Sequence, residues 1–402
     1  MNHADEAVIV DAVRSPIGKY GGALKDFRVD DLSALILRAL VDRNNLDPAV
    51  VDDVIWGCAN QAGEDNRNLA RMALLLARFP YSVPGSTVNR LCGSSLEALI
   101  QATRAIWTGD ADVIIAGGAE NMSRAPFTIA KNTSGRMLYG NLTAYDTSLG
   151  WRFPNPEMAK MFPLESMGET AENVAARFAI SRSDQDDFAL ASHKKAVAAR
   201  SKLTREIHPL EIKTKNAGVT VAVDEGPRED TSLKKLSGLK PAFRDNGTVT
   251  AGNSSSLNDG AAGLLVMSAA KAKALKMNAL ARVVSAGVAG VDPRYMGIGP
   301  IPAAQMALAK AGLMIEDLGL VELNEAFAAQ SLAVIRELKL RPETVNVNGG
   351  AIALGHPLGC SGARIMTALV HEMRRRDVRY GLATMCIGVG QGIAVIVEMY
   401  EV

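Results

Sequence analysis

The chain has 402 residues, 48% hydrophobic and only 5% aromatic, enough apolar material for a large buried core and, by length, two or three domains; intrinsic disorder is excluded. Lysine plus arginine number 44 against 43 aspartates plus glutamates, so no cationic excess draws the chain onto nucleic acid or an anionic membrane, and a charged ligand must be met locally. The 36 glycines suit tight turns and close backbone approaches, a balance that favours an α/β enzyme.

The opening stretch MNHADEAVIVDAV has no cationic segment followed by a long apolar run, so no signal peptide is expected. No apolar run reaches the roughly 18 to 20 residues of a membrane-spanning helix. A soluble, cytoplasmic protein with no membrane partner is the expectation. Cys58, Cys92, Cys360 and Cys386 are widely spaced without a CxxC pair, which disfavours a disulfide framework and a zinc site and leaves room for a reactive thiol.

Strand-like runs AVIVDAV near 7, DDVIWG near 52 and DVIIAGG near 112 alternate with the helical patterns DDLSALILRALVDR and SSLEALIQATRAIWTG, which places a buried sheet between helical layers. From about 121 to 250 the character changes. NTSGRMLYGNLTAYDTSLGWRFPNP reads as loop, TAENVAARFAISRSDQDDFALASHKKAVAARS as helix, and KNAGVTVAVDEGPREDTS as charged, turn-rich sequence. This reads as an insertion, after which GNSSSLNDGAAGLLVMSA leads into a second alternating region. The expected division is 1–120 as one half, 121–250 as an inserted loop domain, 251–272 as a return to the first half, and 273–402 as the second half.

The outer regions carry a weak internal repeat. Leu46 precedes the strand VIWG much as Leu313 precedes LVELN, and Cys92 opens the helix CGSSLEALIQA before VIIAGG as Cys360 opens CSGARIMTALV before LATMCIG. Two similar halves follow from that repeat.

Four residues stand at junctions of apolar strands and turns. Cys92, at the head of a helix, would meet unpaired N–H groups that favour thiolate and lower its pKa; the bland reading is a small cysteine packed into a tight helix start. His356, in NVNGGAIALGHPLGCSG, projects from a shaped glycine-rich loop, or else faces solvent. Cys386 ends an apolar strand in LATMCIGVGQG, where packing alone would also explain it. Asn324, in VELNEAFAAQ, is an uncharged polar group able to hold water or donate to an oxyanion, or simply a cap, and Glu325 could equally be structural. Brought together, the two thiols and the imidazole would provide an acyl acceptor, an activating base and a proton donor.

VNRLCGSSLEAL, NEAFAAQ, NVNGGAIALGHPLGCSG and MCIGVGQG resemble the four characteristic blocks of the thiolase family, in order and spacing, and NSSSLNDGAA resembles that family's loop beside coenzyme A. YGGALKDFRVDDLSA, CANQAGEDNRNLARMALLLA, SVPGSTVNRLCGSS and GWRFPNP resemble its 3-oxoadipyl-CoA branch, which serves aromatic-compound catabolism. The resemblance implies an α/β fold of two βαβαβαββ halves in five α-β-α-β-α layers with an inserted loop domain, assembled as a homotetramer or homodimer. It implies acyl-CoA and CoA as substrates and no resident cofactor. Cys92 is then the nucleophile, Cys386 the acid/base, His356 and an Asn324-held water the enolate stabilisers, and Gly388 an oxyanion donor with the Cys92 N–H.

By the same resemblance, Ser255, Ala251, Ala326, Phe327 and Arg228 lie along coenzyme A, although an arginine in GPREDTS would otherwise read as surface charge. Met167 and Arg152 are assigned to the acyl chain, Arg152 as the partner of a distal carboxylate or, alternatively, as an anchor of its own loop. Departures from the family pattern are Ser95 and Ser256 in place of glycine, Ser166 in place of histidine, and Val389 between Gly388 and Gly390; Ser95 puts the packing behind Cys92 in doubt. A broad fatty-acid thiolase is the alternative enzyme. A noncatalytic acyl-CoA carrier would not need all four site residues, and a β-ketoacyl synthase would carry histidines at the Asn324 and Cys386 positions.

Overall fold

A computed structural model describes residues 5–131, 140–213 and 218–400. The first half contains β1 (Ala7–Arg14), β2 (Gly18–Lys19), α1 (Val29–Arg43), β3 (Asp53–Gly57), α2 (Leu69–Leu76), β4 (Gly85–Val88), α3 (Ser94–Thr108) and β5 (Val113–Asn121). Next come β6 (Phe127–Ile129), β7 (Ala144–Asp146), α4 (Pro156–Met161), α5 (Met167–Arg177), α6 (Arg182–Leu203), β8 (Leu210–Lys213), β9 (Gly218–Val221) and α7 (Leu233–Ser237). The chain continues through β10 (Asn258–Ser268), α8 (Ala269–Ala274), β11 (Ala281–Gly290), α9 (Pro300–Ala311), β12 (Leu320–Leu323), α10 (Ala328–Glu337), α11 (Ala351–Leu354), α12 (Ser361–Arg376), β13 (Tyr380–Ile387) and β14 (Gln391–Met399).

The repeat read from sequence is visible in the pairing. One half runs β4-β3-β5-β10-β1 and the other β12-β13-β14-β11, with an isolated parallel bridge from Val321 to Val345 in the place corresponding to β4. In both, the pairings nearest the β4 side are parallel and the rest antiparallel. Each half is therefore a βαβαβαββ unit. The two sheet layers are continuous: β1 and β11 pair through Val8↔Arg282 and Ile9↔Ala281 and join everything into one ten-stranded sheet. These are the outermost strands of the two halves, and pairing them satisfies edge N–H and C=O groups that would otherwise be left bare.

Layering follows from strand alternation. On β5, Val113 and Ile115 pack into the core shared with α1 and α2, while Ile114 and Ala116 face the core built by α3 and α12. On β1 the faces swap after the register slips between Ile9 and Asp11: Ile9 and Ala12 both reach the α3/α12 core, and Val10 and Val13 both reach the other. In the second half, α9 and α10 cover the far side of β12–β14. The order is thus α1/α2, sheet, α3/α12, sheet, α9/α10, with the helix that follows Cys92 buried at the centre.

Of the stretch read as loop, 132–139 lies outside the described residues, and the remainder contains β7, which pairs with β6. The turn-rich segment near 218 forms β9 against β8. Among the described residues no helix is long and apolar enough to cross a membrane.

Candidate active site

The backbone is pinched just ahead of the helix that carries Cys92. Leu91 takes a left-handed φ of 47°, a conformation an L-residue enters only when its neighbours hold it there. Ser94 provides the hold: its Oγ accepts the Arg90 N–H at 2.9 Å and donates to the Leu91 carbonyl at 2.6 Å. Gly93 then caps α3, and a Cβ there would press on Ile387 at the end of β13. Cys92 is consequently set between the start of α3 and the β13–β14 turn, partly exposed.

Its electrostatics correct the sequence expectation of a lowered pKa. The N–H groups of Gly388 and of Cys92 itself do lie against the sulfur and favour thiolate, but burial outweighs them and pushes the thiol up to about 11, with buried Glu120 adding to the rise. Desolvation of an anion by an apolar wall exceeds what two N–H donors return. At neutral pH the resting group is a thiol.

His356 is buried on the loop between α11 and α12. Its N–H donates to Asn258 Oδ1 at 3.0 Å, and Asn258 in turn donates to the Gly18 carbonyl at 2.8 Å. Gly355, at φ 108°, is required here because a Cβ would collide with the Asn258 side chain. Burial, then the nearby Arg364 cation, lowers the imidazole to about 3, so it is a neutral base at physiological pH. Asn324 Nδ2 lies 3.5 Å from Nδ1 and 3.4 Å from Nε2; equal distances place the amide over the ring face rather than in line with either lone pair. Asn324 is fully buried behind the imidazole, its N–H bonded to the Thr384 carbonyl, and among the described residues its Oδ1 has no hydrogen-bond partner.

Cys386, near the end of β13, is buried, and its thiol is raised beyond the ordinary range by desolvation and by the proximity of Cys92. Cys92, His356, Cys386 and Gly388 share the wall of one cavity of about 490 Å³ with Ser255, Ala326, Phe327, Met167 and Arg152. Of the residues assigned to coenzyme A, Ala251 and Arg228 are exposed and lie off this wall, the Arg228 N–H bonding to His193 Nδ1 at 3.2 Å. Arg152 donates to Asn60 Oδ1 at 3.3 Å, and Trp151 to the Glu165 carbonyl at 3.1 Å.

The departures from the family pattern have structural partners. Ser95 Oγ accepts the N–H of Ala363 at 2.8 Å, satisfying a first-turn donor of α12 from a neighbouring helix; this resolves the doubt about packing behind Cys92. Ser256 Oγ donates to Asn258 Oδ1 at 2.8 Å and so braces the His356 loop. Ser166 caps α5 in a reciprocal box with Glu169. Val389 occupies a left-handed φ of 63° on the cavity wall, an unusual place for a β-branched residue.

Sequence reasoning missed Glu120, which accepts N–H groups from Ala59, Asn60 and Gly359 and is raised by burial to about 7. It also missed Ser94, Asn258 and Ser361. Ser94, Asn258 and Ser361 each lie inside a quoted block, VNRLCGSSLEAL, NSSSLNDGAA and NVNGGAIALGHPLGCSG respectively, which was a usable signal; Glu120 had none beyond a polar residue at a strand end.

A partly exposed thiol at a helix start, a neutral buried imidazole and a second, buried thiol thus meet on one cavity, an arrangement chemically able to transfer an acyl group. Residues 7–270 match the thiolase N-terminal domain and residues 277–399 the thiolase C-terminal domain; the chain belongs to the thiolase family and is an acyltransferase. A beta-ketoadipyl-CoA thiolase of Escherichia coli is 56% identical over 399 residues, covering 98% of this chain and 99% of that protein. The 3-oxoadipyl-CoA/3-oxo-5,6-dehydrosuberyl-CoA thiolase of Escherichia coli (strain K12) shows the same identity and coverage. The crystal structure of the Bacillus anthracis acetyl-CoA acetyltransferase superposes with a TM-score of 0.93 at 43% identity, covering 100% of both chains.

Proposed function

We propose that this chain catalyses CoA-dependent thiolytic cleavage of 3-oxoadipyl-CoA to succinyl-CoA and acetyl-CoA through an acyl-cysteine intermediate. The observation that carries the reading is the convergence of Cys92, His356, Cys386 and the Gly388 N–H on one cavity. Neutral His356 takes the Cys92 proton as sulfur attacks the 3-keto carbon. The alkoxide so formed faces the N–H groups of Cys92 and Gly388. On collapse the C2–C3 bond breaks, its electron pair becomes the enolate of acetyl-CoA, and Cys386, held protonated by burial, delivers the proton to carbon. His356 and a water held on Asn324 Oδ1 receive the enolate charge. A second CoA thiol then takes the acyl group from Cys92 in a ping-pong cycle.

Both Escherichia coli relatives are named for CoA thioesters of dicarboxylic acids, whose distal carboxylate needs a buried partner. Arg152 is the one arginine or lysine on the cavity wall among the described residues, and Asn60 orients it. Arg152→Met should lower kcat/KM about tenfold for 3-oxoadipyl-CoA, or roughly 1.4 kcal/mol, and little for an uncharged 3-oxoacyl chain of similar length. Equal losses on both would reject carboxylate recognition by Arg152, and a wild-type preference for the uncharged chain would favour the fatty-acid reading.

The remaining assignments belong to the same proposal. Segment 121–250 acts as a loop domain over the site, supported by its supply of Met167, Trp151 and Phe243 to the cavity wall. Met167 borders the acyl chain, and Ser255, Ala326 and Phe327 the pantetheine end, with Arg228 and Ala251 further along coenzyme A outside the cavity. A role in aromatic-compound catabolism follows from the substrate. Four unpaired cysteines fit a reducing cytoplasm. Exposed Tyr81 near the β4 edge and exposed Phe127 and Ile129 on β6 support assembly as a homodimer or homotetramer, which light scattering would measure.

A further inference from the structure

Ser361 opens α12 and is fully buried. Its Oγ lies 2.6 Å from His356 Nδ1 and 2.8 Å from the carbonyl oxygen of Pro357. A carbonyl can only accept, so the hydroxyl's single proton must lie between Oγ and the Pro357 oxygen; two bare oxygens at that separation would repel. With that proton spent, Oγ can only accept from the imidazole. Nδ1 must then carry the ring proton, and the lone pair is left on Nε2.

We infer that Ser361 is a positioning residue that locks His356 in its Nδ1–H tautomer, making Nε2 the base that takes the proton of Cys92. This rests on the acyl-cysteine reading above. The S–H proton passes to Nε2 as sulfur attacks the thioester carbon, the carbon–sulfur bond to CoA breaks, and the departing CoA thiolate takes the proton back. The Asn324 amide, lying over the ring face, does not compete for the in-plane lone pair. The groups that bear on the pair are Arg364 toward His356 and Glu120, Cys386 and the Gly388 N–H toward Cys92.

The test is the single-turnover rate of Cys92 acetylation by acetyl-CoA, read by intact mass across pH in wild type, Ser361→Ala and Ser361→Thr. At pH 7 Ser361→Ala should acylate about 100-fold more slowly, because the imidazole is free to present Nε2–H to the thiol. The deficit should shrink as pH climbs toward about 11, where Cys92 ionises without help. Ser361→Thr, which keeps the hydroxyl, should restore most of the rate. An alanine variant that acylates at the wild-type rate at pH 7, or one whose deficit is equal at every pH, overturns the tautomer lock. If the alanine variant does not fold, histidine-¹⁵N NMR of the wild type decides: a proton on His356 Nε2 rejects the inference and one on Nδ1 supports it. Absence of any acetyl group on Cys92 in wild type would instead reject the acyl-cysteine reading itself.

Discussion

The two halves each begin a central helix with a cysteine, and only one of the two thiols meets the cavity. Cys92 leads α3, partly exposed, while Cys360 caps α12 fully buried against Ile17, Ala262 and Ala363. Burial pushes Cys360 up to about 12, against about 11 for Cys92. The difference originates on the facing half. Cys92 looks onto the tight turn joining β13 to β14, which offers a backbone N–H and open space. The corresponding β5–β10 connection is the long stretch from 122 to 257, and the segment before Cys360 is clamped against β5: the Gly359 N–H bonds to Glu120, and a Cβ on Gly118 would strike the Gly359 carbonyl. A helix N-terminus is therefore not sufficient to bring a thiol to the cavity; the packing of the facing half decides access.

The sharpest way to break the comparison is to remove each of the two thiols in turn by mutation. Cys92→Ser should lose acyl-enzyme formation by several orders of magnitude, since an alcohol is a far weaker nucleophile, whereas Cys360→Ala should keep it within about twofold. Peptide mapping after acetyl-CoA would contradict this if the acetyl group were found on Cys360. Next in size, Cys386→Ser should still acylate at Cys92 but lose carbon–carbon bond cleavage roughly a thousandfold. Equal loss of both half-reactions would assign Cys386 to packing.

Each half also buries an arginine. Arg14, at the end of β1, holds Glu206 at 2.7 Å and Asp224 through two bonds of 2.7 and 2.9 Å. Arg364 in α12 has, among the described residues, only Glu322 as an ion-pair partner, at 3.9 Å. Arg14→Met should cost about 3–5 kcal/mol in denaturant unfolding at pH 7, because two carboxylates are left buried without their cation. Arg364→Met should cost less, since no close ion pair is broken; a larger loss than for Arg14→Met would reverse the ranking.

The smallest effect is a pH dependence. The folded pKa of His356, about 3 against an ordinary 6.5, means the unfolded chain binds the proton first. The neutral imidazole's contribution is intact above about pH 6.5 and is lost as pH falls toward 3. At pH 5 the loss is about 2 kcal/mol, so the stability gap between wild type and His356→Asn should move by that amount between pH 7 and pH 5. A gap that stays constant would place His356 in a solvated setting.

Much of the site was legible because its chemistry stands at junctions. Cys92, Asn324, His356 and Cys386 each stand at the end of an apolar strand or in a glycine-rich turn; packing or capping would explain each one alone, and it is their combination in four blocks of sequence that singled them out. The duplication was legible for a similar reason, since equal spacing of cysteine, helix and strand survives in one dimension. The serines that looked like departures were not. Ser95 serves a helix 268 positions away in the chain, and Ser256 serves a loop through Asn258; neither partner is near in sequence.

Residue order by itself determined which residues could be proposed as nucleophile, base and acid, and the order of strands and helices that carries them, because side-chain identity and hydrophobic period are local properties. Tertiary structure alone decided the joining of the two halves into one sheet through β1 and β11, the exclusion of Cys360 from the cavity, and the protonation states of the site. The last is the clearest case. The helix start argued for a thiolate at Cys92, yet desolvation depends on every neighbour brought in from elsewhere in the chain, and that surrounding shell left a thiol beside a neutral imidazole.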